Sequence, residues 1–143
     1  MLETPLRRRP EFYLCAGPTQ SRVLPCELES AAVARRLVAA VLDRWELPEL
    51  TERAELIVSE LVTNAVLHAR TGGASVRVVV TRVHGDRVQV AVTDLDQRPP
   101  TLVEAGPDEE RGRGLALVAA VSESWGCERR AWGKRVWAEL ARS

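Results

Sequence analysis

Between residues 70 and 76 the chain changes its apolar period, and that change limits what it can fold into. From about Leu28 to Arg70 its apolar residues recur at three- and four-residue steps: Ala32, Leu37, Val38, Val41, Leu42 and Trp45, then Ile57, Leu61 and Ala65. From Val76 they alternate instead, as Val76, Val78 and Val80 and, beyond Gly85-Asp86, as Val88, Val90 and Val92. A helix repeats every 3.6 residues and a strand every two. The first stretch therefore reads as two helices separated at Pro48, and the second as a β-hairpin with His84, Gly85 and Asp86 in its turn. His84 reads as a solvent-exposed turn residue.

The remaining segments fit around these. Residues 1–10, with Pro5, Pro10 and three arginines, read as a flexible arm, and residues 11–143 as a single domain. Glu11 to Ala16 is expected as an edge strand, turned by Gly17 and Pro18 into a second strand at Ser21 to Cys26. Thr51 is expected to cap the second helix, whose first turns carry Glu52 and Glu55, where the helix dipole favours negative charge. Gly72 and Gly73 end that helix. After Asp94 the sequence LDQRPP opens a polar stretch with Gly106-Pro107, expected as a lid loop over about residues 99–113. A helix follows from Leu115 to Val121. Two strands, Ser124 to Glu128 and Lys134 to Leu140, turn around Arg130 to Gly133. Trp125, Trp132 and Trp137 are expected to close the core or a dimer face. The order predicts an α/β two-layer sandwich, with a mixed, largely antiparallel sheet and its helices on one face.

Composition removes several classes. The chain has 143 residues, of which 45% are hydrophobic, enough for one domain with a core. Its 20 basic and 20 acidic side chains balance, and the arginine run at 7–9 is too short to argue for nucleic acid. No apolar run is long enough for a membrane span, and no signal-peptide run opens the chain. Three cysteines without metal spacing read as reduced thiols of a cytoplasmic protein. A P-loop and a Rossmann glycine turn are both missing from the sequence.

Three features carry chemistry. The first is ELVTNAVLHA, residues 60–69, where Glu60, Asn64 and His68 stand at four-residue steps on an otherwise apolar helix. Four residues span about 400° of helix, so the three form one drifting stripe. Alone, that stripe also reads as a wetted helix face. The second is Asp94, closing a hydrophobic strand. The third is GRGLALV, residues 112–118, where two glycines flank Arg113 at the mouth of a helix.

Together these resemble the motifs of the Bergerat-fold ATP-binding superfamily of gyrase, Hsp90, sensor histidine kinases and MutL. The closest resemblance is to the small bacterial anti-sigma-factor serine/threonine kinases of the actinomycete type. It covers roughly residues 24 to 140. ELVTNAVLHA matches the asparagine-bearing helix, TDLDQRPP stands at the Asp-x-Gly segment, GRGLALV matches the second glycine motif, and GKRVWAEL resembles the terminal strand. The resemblance implies that Asn64 coordinates Mg²⁺ and Glu60 is the catalytic general base. It implies that Asp94 accepts the adenine amine, and that Gly112 and Gly114 let the backbone approach the phosphates. Arg113 either compensates phosphate charge or covers the lid, and His68 supports the pocket edge. The cofactors implied are ATP and Mg²⁺. The activity implied is transfer of the γ-phosphate to a small anti-sigma antagonist, with sequestration of a sigma factor as a second role. Related small kinases tend to form homodimers.

The match has departures. Asp96 stands where the family usually has glycine, and Lys134 where a threonine is often found. These keep an alternative open: a weak or inactive nucleotide-binding or partner-binding module.

Overall fold

The computed structural model describes residues 18–68, 75–95, 109–130 and 133–142, without the side chains of 109–114 and 130. The elements run β1 (Thr19–Pro25), α1 (Glu29–Arg44), a 3-10 turn (Pro48–Leu50), α2 (Thr51–Leu67), β2 (Ser75–His84), β3 (Arg87–Asp94), α3 (Glu109–Val121), β4 (Ser124–Arg130) and β5 (Gly133–Ala141). The strands form one sheet in the order β1-β2-β3-β5-β4, and each of these pairings is antiparallel. The expected two-layer sandwich is present. The expected strand at Glu11 to Ala16, the Gly72-Gly73 helix stop and Trp132 lie outside the described residues.

Alternation sorts the sheet into two faces. Val76, Val78 and Val80 of β2, Val88, Val90 and Val92 of β3, and Val136, Ala138 and Leu140 of β5 are all buried. They meet Ala34, Val38, Val41 and Leu42 of α1 and Ile57, Val58, Leu61 and Val62 of α2 in one cluster. Valine suits this layer because its branched side chain packs well on a pleated, half-buried surface. The opposite face carries polar cross-strand pairs. Arg87 pairs with Glu139 at 3.3 Å, and Arg135 reaches Gln89 at 2.7 Å and Glu128 at 3.5 Å. Cross-strand pairs of this kind hold register rather than supply a core. Trp137 also lies on this face, across Gly126 of β4, where a Cβ would come within 2.8 Å of its ring. The tryptophan that closes the core is Trp45, buried at the end of α1.

The hairpin is tight. Gly85 has φ of +56° and Asp86 does not share a positive φ, so glycine occupies the first central position, as a type II′ turn requires. Arg82 donates from Nε to the Gly85 carbonyl at 2.7 Å. His84 is exposed, at the end of β2 rather than in the turn itself.

Two helix ends are set by backbone geometry. The first helix, expected from about Leu28 to Trp45, runs Glu29–Arg44. It stops there because Glu46 takes φ of +61°, with its N–H donating to the Asp43 carbonyl and that of Leu47 to Leu42. This is a Schellman motif with glutamate in the left-handed position and Leu47 buried behind it. The left-handed conformation costs a non-glycine residue roughly 1 kcal/mol. Glu46→Gly should therefore raise the unfolding free energy by about 1 kcal/mol, read from a denaturant midpoint that moves without a change in slope. Secondly, Thr51 is not a cap. Leu50 holds that position without a side-chain cap bond, and the N–H of Thr51 donates to the Pro48 carbonyl. Pro48 opens the 3-10 turn, and that turn runs straight into α2, so its carbonyl does what a capping side chain would have done.

Candidate functional site

Asn64 is set by its place on α2. The buried side of that helix comprises Ala54, Ile57, Val58, Leu61, Val62, Asn64 and Ala65. Asn64 thus falls within the apolar stripe, while Glu60 and His68 on the same drifting row are only half-buried. Asn64 is 7% exposed, and its Oδ1 has no hydrogen-bond partner among the described residues. Leaving a buried carbonyl oxygen unpaired costs about 1–3 kcal/mol. Among the described residues that acceptor is unmet. A hard cation is the ligand a carboxamide oxygen suits, and Mg²⁺ takes one or two protein oxygens while phosphates complete its shell. The chemistry of Asn64 therefore fits the metal that the family resemblance implies.

The surroundings of Asn64 are tied down from several directions. α2 packs on β3, which ends in Asp94, and on α3, which carries Gly112, Arg113 and Gly114. Five residues before Asn64, Ser59 accepts a hydrogen bond from Arg35 of α1 at 3.0 Å, which locks the two helices beside Glu60. At the helix end the N–H of His68 donates to the Asn64 carbonyl at 3.1 Å, so His68 closes α2.

Asp94 is fixed from both neighbouring strands. It pairs with Val76, and the next residue, Leu95, donates its N–H to the Ser75 carbonyl at 2.9 Å. On the other side Gly133 opens β5 so close that a Cβ there would lie 2.3 Å from the Asp94 carbonyl oxygen. The sequence places Gly133 in a turn and at the head of the GKRVWAEL strand motif. Its role as the wedge against Asp94 was missed. The sole signal was a glycine ahead of an alternating strand.

The glycine motif sits differently from expectation. The helix begins at Glu109 rather than at Leu115, so residues 109–113 are helical rather than part of a loop. The segment EERGRGLAL is rich in good helix formers and begins with two glutamates, which the dipole favours in a first turn. Gly112 is then among the first four residues, whose amides lack a partner inside the helix, whereas the amide of Gly114 lies within its hydrogen-bonded part. The rest of the expected lid, and Asp96 with it, lies outside the described residues. No helix among the described residues is long and apolar enough to cross a membrane.

A family model described as a histidine kinase-like ATPase domain matches residues 24–140. The chain belongs to that family. It is similar to an uncharacterized protein of Streptomyces coelicolor, with 40% identity over 76 residues, covering 51% of this chain and 70% of that one. Among solved structures it is similar to one containing the RsbU and RsbW domains of a Mycobacterium tuberculosis protein. The TM-score is 0.67 at 18% identity, covering 87% of this chain and 32% of that one. That likeness is one of fold, and the chain spans about a third of the solved protein. Membership of the histidine kinase-like ATPase family makes this an ATP-binding domain.

Proposed function

We propose that the chain binds Mg-ATP and acts as a regulatory serine/threonine kinase. Its acceptor is a small anti-sigma antagonist, and sequestration of a sigma factor is its second role. The observation that carries this reading is the buried Oδ1 of Asn64, which has no hydrogen-bond partner among the described residues. When bound, Mg-ATP supplies the γ-phosphoryl group to be transferred. Asn64 holds the cation through Oδ1. Asp94 accepts a hydrogen bond from the adenine amine. Gly112 and Gly114 offer backbone without side-chain bulk to the phosphates, and Arg113 compensates their charge. Glu60, one turn before Asn64, orients the acceptor hydroxyl and takes its proton. The anti-sigma assignment is supported by the resemblance of the motifs and by the RsbW domain of the solved structure with this fold.

Removing a general base typically costs about 10²–10⁴-fold in rate. Glu60→Gln should therefore retain Mg-ATP binding while phosphoserine or phosphothreonine formation on a cognate antagonist falls by at least about 100-fold. Equal transfer by the parent and the variant would remove Glu60 from the mechanism. A second reading, a module that binds nucleotide or partner without turnover, is favoured by Asp96, a carboxylate two residues after Asp94. Nucleotide binding without transfer by the parent protein selects that reading.

A further inference from the structure

Lys134 is the only lysine in the chain, and it stands beside Asp94. Thr93 pairs with Arg135 across β3 and β5, so one further step along these antiparallel strands brings Asp94 alongside Lys134. Gly133 confirms how close the two strand ends are: a Cβ there would lie 3.7 Å from the Asp94 Cβ. Alternation puts Lys134 on the same side as Val136 and Asp94 on the same side as Val92, the side covered by the helices. Both residues are half-buried. A carboxylate and an ammonium thus share one end of the helix-covered face.

We propose that Lys134 reads the nucleotide base together with Asp94, and that the pair admits 6-oxopurines as well as adenine. This rests on the reading of Asp94 as the base acceptor. A carboxylate only accepts hydrogen bonds, and an ammonium only donates them. Adenine presents an amino donor beside the acceptor N1. Guanine and hypoxanthine present the reverse, an O6 acceptor beside an N1–H donor. A carboxylate alone serves adenine and repels O6. With an ammonium beside it, either order finds partners. The four-carbon lysine stem lets the charge shift to meet the base that arrives. A threonine at this position would lack both the charge and the reach.

The test is a calorimetric titration of Mg-ATP, Mg-GTP and Mg-ITP into the parent chain, Lys134→Thr and Asn64→Ala. In the parent, the three dissociation constants should lie within about tenfold of one another. In Lys134→Thr, GTP and ITP should weaken at least about tenfold more than ATP, the loss of one charge-assisted hydrogen bond. A GTP-to-ATP ratio that is the same in both proteins overturns the proposal, whatever its size. Asn64→Ala separates the two readings: if it binds ATP as tightly as the parent, the metal site falls while the base claim is still decided by the ratio. If the parent binds no nucleotide, both fall. A second readout does not need the variant. Reductive methylation with labelled formaldehyde gives one lysine methyl signal, from Lys134. That signal should move with ATP, move differently with GTP, and stay in place with inorganic tripolyphosphate. A response to tripolyphosphate equal to that for ATP would place Lys134 at the phosphates and overturn the proposal.

Discussion

Asn64→Leu should make the protein more stable and unable to bind Mg-ATP. Leucine has nearly the shape of asparagine and needs no acceptor partner. Removing an unpaired buried carbonyl is worth about 1–3 kcal/mol, and leucine is also the better mid-helix residue by a few tenths. For a domain of this size the melting temperature should rise by roughly 3–8 °C. Over the same substitution the only side chain assigned to the cation is lost, so Mg-ATP affinity should fall by at least about 100-fold, the scale of losing a charged contact. Opposite signs for stability and binding mark a residue kept for its ligand. A structural asparagine would lose stability when replaced. Thermal melts and ATP titrations of the two proteins separate the cases.

Gly133→Ala should damage both properties together. The added Cβ would come 2.3 Å from the Asp94 carbonyl oxygen, a backbone atom that cannot rotate away. Gly133 also has φ of +156°, a conformation that L residues rarely adopt. Overpacking of this kind costs about 1–3 kcal/mol, and an unfavourable backbone conformation about as much again. The expected loss is therefore about 3 kcal/mol in chemical denaturation. The strain is relieved by pushing β5 away from the end of β3, which displaces Asp94 itself. ATP affinity should fall by at least about tenfold at temperatures where the variant is still folded. If the variant is destabilised but binds ATP as the parent does, Asp94 is not a base contact.

The elements were legible where one face is buried over several repeats. The valine alternation of β2 and β3 left one solution, because a one-residue slip would turn every valine outward. The helical repeat of α1 and α2 was equally plain. Boundaries set by backbone geometry were not. Nothing in Glu46 announces a left-handed residue, since glutamate is a poor candidate for one, so the motif that ends α1 was hidden although the helix end itself was legible. Thr51 looked like a cap because a 3-10 turn leading into α2 leaves no separate signature. Adjacency in the sheet was hidden for another reason. The placement of β5 between β3 and β4 depends on a crossover through α3, and the contact of Gly133 with Asp94 exists only once that crossover is made. Within the site, residue types gave Asn64 as a candidate, but the sequence left it on a stripe that also read as wetted. Its burial in the apolar side of α2 separates it from Glu60 and His68.

The most direct measurement is an ATP titration of the parent chain with Mg²⁺ and again with the metal chelated, each repeated on Asn64→Leu. Saturable heat with Mg²⁺ that falls at least about tenfold on chelation, and is absent from Asn64→Leu under both conditions, is the expected result. Heat that is unchanged by chelation and by the substitution would contradict the assignment of Asn64 to a magnesium-bound nucleotide.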